Sequence, residues 1–457
     1  MTSAIPHNRR LLLILGVVLT LVLSGCTESE ETATLVFDTA PTLGAPVLPG
    51  PAGAEAPTAE AVAAALEPLL SYTGLRGTLG IAVHDAATGE LLYGKDNTRI
   101  LIPGSTNKVA VAAAVLATRG PDYRIPTRVV AGSAPGQVVI IGAGDPTLSI
   151  DGKGYYPGAA SLGDLAEQVK EALGDQPVTS VVLDGSAFSG PGSAPGVDPA
   201  DTKAGWGTDT TALMTDGGRI DPSGGGTGGR RHDTATPRYK DPGHAAAEKF
   251  AELLGAPTYI ETGVADPSAA ELGVVQSPPM RRLVEETVLA SDNVVSDMLI
   301  RQVALARGLP GSFEDGTVAV AAVFNDLGLP GDQIAMVDGS GLSYKNRISA
   351  GVLSSLFAKA AGPDHPELRP LFAALPVAGY SGTLDSRYGH DQTAAGAGVV
   401  RAKTGTLAKV TALAGSVLSA DGRELTFALL LNDRGNAFEA AHGLDRLAAA
   451  LATCGCK

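Results

Sequence analysis

Aromatic residues make up only 4 % of this 457-residue chain. An aromatic-rich core is therefore excluded, and the interior must be built from the abundant Ala, Val and Leu. Basic residues are outnumbered: the net charge is −14, and no basic cluster offsets it. That balance argues against nucleic acid as a partner. The seven histidines show no ligand spacing such as H-E-x-x-H, so no metal is expected. A long hydrophobic run is missing as well. The apolar stretch from Leu11 to Leu23 is shorter than the ~20 residues that a membrane-spanning helix needs.

Arg9-Arg10 before that stretch, and small residues after it, read as a signal peptide over 1–25. The junction Leu23-Ser24-Gly25-Cys26 resembles a bacterial lipobox, which implies cleavage before Cys26 and a lipid on its sulfur. Residues 26–56 are rich in Glu, Thr, Pro and Ala without a regular period, and read as a flexible tether. With Cys26 given to lipid, Cys454 and Cys456 remain. Their C-x-C spacing suits a small disulfide in an oxidising compartment. The chain is thus expected outside the cytoplasm, on the outer face of the membrane or in the cell wall.

Beyond the tether, residues 57–72 read as an amphipathic helix. Alternation at Leu79, Ile81, Val83 and then Leu91, Tyr93 reads as a hairpin around Asp85–Gly89. A run of small apolar residues, Val109 to Ala117, has the length of a buried helix. From 125 to 275 the texture changes to short strands, helices near 161–173 and 244–254, and a Gly-rich stretch, 204–237, that reads as a long mobile loop. Helices over 279–290, 294–306, 312–327 and 349–361 follow. Strands over 399–403, 410–418 and 425–431, and a last helix over 436–451, complete the chain.

Three short stretches carry candidate chemistry. Ser105-Thr106-Asn107-Lys108 opens the buried helix, and residues i and i+3 share a helix face. A hydroxyl and an amine can meet there, as a serine nucleophile with a lysine base requires. Taken alone, Ser105 reads more simply as a helix N-cap. Ser291-Asp292-Asn293 lies between two helices, where Ser291 and Asn293 can point into a cleft; alone, this stretch also reads as a cap. Lys403-Thr404-Gly405-Thr406 ends a strand. Its lysine and two hydroxyls suit a carboxylate, and Gly405 lets a ligand approach the backbone. Jointly, S-x-x-K, S-D-N and K-T-G in this order form the set of penicillin-binding proteins and class A β-lactamases.

The chain resembles the D-alanyl-D-alanine carboxypeptidase/endopeptidases of the low-molecular-mass class C penicillin-binding proteins, the peptidase S13 type. Gly144-Asp145-Pro146-Thr147-Leu148, Asp338 to Ser343 and Gly379 to Leu384 resemble stretches of that family, as does an extra module between the first and second motifs. Tyr344 stands where some members carry an arginine that helps bind the peptide stem. The resemblance implies an α/β (α+β) transpeptidase/β-lactamase-like serine acyl-transferase domain over 57–124 and 276–457, with one inserted α+β domain over 125–275. It implies a catalytic set of Ser105, Lys108, Ser291, Asn293 and Lys403, with Thr404, Gly405 and Thr406 binding substrate. It implies no cofactor. The expected partners are peptidoglycan stem peptides ending in D-Ala-D-Ala, β-lactams as covalent inhibitors, and the membrane through the lipid. A serine β-lactamase or esterase of the same fold, or an inactive peptidoglycan-binding lipoprotein, are the alternatives.

Overall fold

The computed structural model describes residues 57–223 and 235–455. The signal and tether readings, with Cys26, lie outside the described residues, as does Cys456; Cys454 is disulfide-bonded. Among the described residues no helix is long and apolar enough to cross a membrane.

A five-stranded antiparallel sheet organises the fold. Its order is Val400–Leu407, Val410–Leu418, Glu424–Asn432, Thr78–Asp85, Leu91–Lys95. The first strand of the chain therefore lies beside the last, in unbroken register from Thr78 opposite Asn432 to Asp85 opposite Leu425. Side chains alternate across a strand, and here the two faces differ in size. Large odd-numbered residues, among them Ile81, Val83, Phe427, Leu429 and Leu431, pack against helices Ala59–Leu66 and Ala437–Thr453. Small even-numbered ones, among them Ala82, Ala412, Ala414 and Ala428, face the other layer.

That layer is helical, and at its centre runs the helix Asn107–Arg119. Every residue from Asn107 to Leu116 is buried. A helix apolar on all sides belongs inside a core, and alanine keeps it helical at little conformational cost. Helices Met280–Val288, Asn293–Ala306, Phe313–Asp326 and Ala350–Ala361 surround it. The aromatic-poor core expected from composition is what this packing uses.

Residues 126–276 form a second sheet, ordered Ile260–Thr262, Ser180–Asp184, Gln137–Ile141, Pro126–Ala131, Glu271–Gln276. The first three strands run parallel, and the others pair antiparallel. Helices Leu162–Leu173 and Pro242–Leu254 cover it around a core of its own, with Val138, Ile140, Leu165 and Phe250.

Two local readings change. The first helix stops at Leu66 and continues as a 3₁₀ turn, Glu67–Ser71, because Pro68 lacks the N–H an α-helix needs. The Gly-rich stretch 204–237 is irregular, as read, but its described part is not a solvent loop: Thr208, Thr210 and the run from Ala212 to Arg219 are buried.

The closeness of the alanine packing is testable. Ala113→Leu should destabilise the fold by about 1–3 kcal/mol through overpacking, seen as a lower midpoint in denaturant unfolding. An unchanged midpoint would mean that the central helix is loosely packed.

Candidate active site

Ser105 stands on a 3₁₀ turn, Gly104–Thr106, just before the central helix. Thr106 Oγ1 ties this turn by donating to the Pro103 carbonyl at 2.8 Å. Ser105 is not a helix cap. Its Oγ lies 3.0 Å from Lys108 Nζ instead. Gly104 has φ +55°, and a Cβ there would stand 3.1 Å from Thr406 N. A Cβ on Gly405 would stand 2.5 Å from Pro103 O and 3.2 Å from Ser105 N. Glycine at both positions thus lets the first and third motifs touch backbone to backbone, with the N–H groups of Ser105 and Thr406 as neighbours.

Ser291 is not the cap of its helix either. Asp292 is: its Oδ1 accepts from Val294 N at 3.0 Å and Val295 N at 3.2 Å. Ser291 sits at φ +61°, a strained position for a residue with a side chain. This turn sends its Oγ to Lys403 Nζ, 2.9 Å away. Asn293 Nδ2 donates to the Trp206 carbonyl at 2.9 Å, which fixes the amide so that Oδ1 faces Lys108 Nζ at 2.7 Å.

Lys108 is fully buried. Its Nζ reaches three acceptors: Ser105 Oγ, Asn293 Oδ1 and the Ser340 carbonyl. An ammonium has three donors for them, whereas a neutral amine has two and a lone pair. Asn293 Oδ1 and the Ser340 carbonyl can only accept. Loss of the proton therefore turns the lone pair toward the Ser105 hydroxyl, which is the geometry of a general base. Burial pushes the Lys108 pKa down to about 8, against the pull of the Asp297, Asp338 and Asp292 carboxylates. Lys403 is also fully buried, and burial, then the charge on Lys108, hold it well below the usual lysine range.

Two carboxylates to which sequence reasoning gave no role lie under Lys108: Asp297, which it missed, and Asp338, the first residue of the Asp338 to Ser343 stretch. Asp297 Oδ1 accepts from Gly339 N at 2.9 Å and Ser340 N at 2.7 Å. Asp338 accepts from Gly341 N at 2.8 Å and Ser343 N at 2.7 Å. Together they shape the turn that aims the Ser340 carbonyl at Lys108. Burial raises both, Asp297 to about 7. Asp297 follows Asn293 at i+4, on the same helix face, a spacing that could have flagged it.

Above these groups opens a cleft of about 730 Å³. Ser105, Ser291, Asn293, Thr404 and Thr406 line it, while the two lysines lie beneath, fully buried. Trp206 and Arg387, neither singled out from sequence, also line it, as does Thr383 of the Gly379 to Leu384 stretch, to whose Oγ1 Thr404 Oγ1 donates at 2.8 Å. Tyr344 is on its wall, with its hydroxyl accepting from Ala408 N at 3.1 Å. The structure thus brings all three motifs to one cleft, although they are far apart in the chain.

The profile of the D-Ala-D-Ala carboxypeptidase 3 (S13) family matches residues 62–226 and 227–452. The chain belongs to this family. It is 41 % identical to a carboxypeptidase of Mycobacterium tuberculosis, over 91 % of this chain and 89 % of that one. It is 39 % identical to carboxypeptidase DacB of Mycolicibacterium smegmatis, over 90 % and 88 %. Its fold matches the crystal structure of penicillin binding protein 4 (dacB) from Haemophilus influenzae at TM-score 0.67 and 20 % identity, over 86 % of this chain and 98 % of that one. The transpeptidase-like α/β fold expected from the motifs is therefore correct, and this S13 carboxypeptidase is a serine-type enzyme acting on D-Ala-D-Ala peptides.

A base that must lose its proton before attack makes the rate pH-dependent. If that base is Lys108, at about 8, acylation by penicillin should rise with pH and level off above that value, falling about tenfold per pH unit below it. Adduct mass followed against time checks this. A flat profile across pH 8 would remove Lys108 as the titrating base.

Proposed function

We propose that Ser105 is the acylating nucleophile of this carboxypeptidase and Lys108 its general base. The observation that carries the assignment is the 3.0 Å contact of Ser105 Oγ with a buried Lys108 Nζ whose other two partners can only accept. Ser105 Oγ attacks the carbonyl carbon between the two D-alanines, and its proton passes to Lys108. The N–H groups of Ser105 and Thr406 receive the oxyanion, a device in which one lost donor typically costs roughly 100- to 1000-fold. The C–N bond then breaks. Ser291, held by Lys403, relays the proton: it gives its hydroxyl proton to the departing amine and regains the one that Lys108 took up, so terminal D-alanine leaves, Lys108 is neutral again and an acyl ester remains on Ser105. Water releases the acyl group by the reverse proton path. A cross-linked peptide presents a like amide on a D-alanine carbonyl, with the amine of a second peptide as the leaving group, so the same steps serve an endopeptidase reaction.

Asn293 holds the substrate amide. Thr404 and Thr406 bind the terminal carboxylate from the cleft wall, with Gly405 leaving room and Lys403 supplying charge beneath. Burial disfavours the Lys403 ammonium while the cleft is open. An arriving carboxylate reverses that balance, because an opposite charge favours the charged form.

Cys26 anchors the chain by a lipid to the outer face of the cytoplasmic membrane, with 26–56 as tether, once 1–25 is removed. Segment 125–275 is an inserted domain. Its support is a sheet and core of its own, although all described residues belong to one compact unit.

Two experiments test these roles. Penicillin should add its whole mass to the protein, because the opened ring stays attached, and digestion should place the adduct on the peptide that carries Ser105. Ser105→Ala should abolish the adduct and D-alanine release while the circular dichroism spectrum is unchanged. An adduct elsewhere sinks the assignment, and one that turns over rapidly points to a β-lactamase. For the anchor, a fatty-acid analogue fed to the producing cells should label the wild type and not Cys26→Ser. Persistent label would remove Cys26 as the lipid site.

A further inference from the structure

The middle residue of the second motif makes contacts that the catalytic assignment leaves unused. Asp292 Oδ2 accepts from Arg219 Nη2 and from the Tyr156 hydroxyl, each at 2.9 Å. The side chains of Arg219 and Asp292 are fully buried. Arg219 Nη1 also donates to the Tyr156 hydroxyl at 2.7 Å, and its guanidinium lies 3.6 Å from the centre of the Tyr155 ring. Burial alone would raise the Asp292 carboxyl, but Arg219 and Arg238 outweigh it and bring it down to about 2.

Both Arg219 and Tyr156 come from the segment 125–275. The turn before Arg219 is built to present it. Gly217 and Gly218 have φ +61° and +78°, and a Cβ on Gly217 would stand 2.7 Å from the Tyr156 hydroxyl oxygen. The Gly144–Leu148 stretch holds this turn from below: Asp216 N donates to Leu148 O and Gly217 N to Pro146 O, each at 2.8 Å.

Asp292 therefore works in two directions. One oxygen caps the helix that begins at Asn293, and the other is clamped by Arg219 and Tyr156. Its neighbours in the chain, Ser291 and Asn293, touch Lys403 and Lys108 respectively. Ser291 is in the left-handed region, a conformation that persists only where the surroundings over-determine it. We propose that Arg219, with Tyr156, is a positioning residue for acylation: through Asp292 it holds the Ser291–Asn293 turn against the two catalytic lysines. Neither residue touches the substrate. The inserted segment thereby becomes part of the catalytic apparatus. The inference rests on the reading of Ser105 and Lys108 as the acylating pair.

The test is a mutant cycle read by penicillin acylation, with the binding constant and the acylation rate constant resolved separately. Arg219→Met should slow acylation roughly ten- to hundredfold and leave penicillin binding within about twofold, the scale of coupling in one buried network. Asp292→Asn keeps an oxygen for the helix cap and removes the charge that Arg219 answers. The double variant Arg219→Met/Asp292→Asn should regain much of the rate lost by Arg219→Met alone. Tyr156→Phe, which removes one hydroxyl and little volume, should slow acylation several-fold, and it carries the test if Arg219→Met does not fold. If the wild type forms no adduct, the nucleophile assignment fails before this one is reached. If the wild type acylates and folded Arg219→Met and Tyr156→Phe keep its rate, Arg219 is a stabilising residue only and the proposal is overturned. It is overturned as well if binding weakens while the rate stays, or if the double variant is no faster than Arg219→Met.

Discussion

The structure depends on keeping one lysine amine dry. Lys108 can act as a base only if its charge is disfavoured, and burial inside an alanine-packed layer does that. The same burial would be ruinous without acceptors, since an unpaired buried amine carries a full desolvation penalty. Three oxygens meet it, each from a different part of the chain: Ser105 next door, Asn293 on another helix, Ser340 on a loop. The small face of the main sheet, the helix buried on every side, and the two carboxylates under the 339–341 turn all serve to hold those oxygens still.

That dependence explains which parts of the site were legible. Ser105 and Lys108 are three residues apart, so one helical turn can bring them together, but alone that spacing reads as a cap, and it took the other motifs to single them out. Lys403 and Ser291 needed the joint occurrence of the three motifs. Asp297 did not stand out, and Asp338 stood out only as part of a family-like stretch, because their job is to shape a backbone turn whose carbonyl, not whose side chain, meets Lys108. Arg219 was hidden for a different reason. Glycines around it read as slack, whereas Gly217 and Gly218 supply left-handed backbone and closeness to Tyr156. The fold was easier: two-residue alternation at 79–83 and 91–93, and the unbroken apolar run of the central helix, predict their elements. What alternation cannot give is partnership, and the pairing of Thr78–Asp85 with Glu424–Asn432 comes only from structure.

The segment between the first two motifs looks, by composition, like a separate body. Its sheet and core support that view, yet it reaches the centre of the site at Trp206, whose carbonyl orients Asn293, and at Arg219. A segment can thus have a sheet and core of its own and still be shared at its border, where Tyr156 and Ala194 join the main core and Met214 packs with Val294 and Met298.

The pairing of the first strand with the last also constrains how the protein comes to exist. Contacts so distant in sequence form late, because the loop they close is long and its entropy must be met first. Until residue 432 has been made, Ile81 and Val83 have only the neighbouring strand Leu91–Lys95 to pair with. The alanine face that encloses the central helix is incomplete as well. The segment 126–276 repeats the arrangement on a smaller scale, its strand Pro126–Ala131 pairing with Glu271–Gln276. The surroundings of Ser105, although it stands near the beginning, are therefore complete only once the strand that carries Gly405 and Thr406 lies beside it.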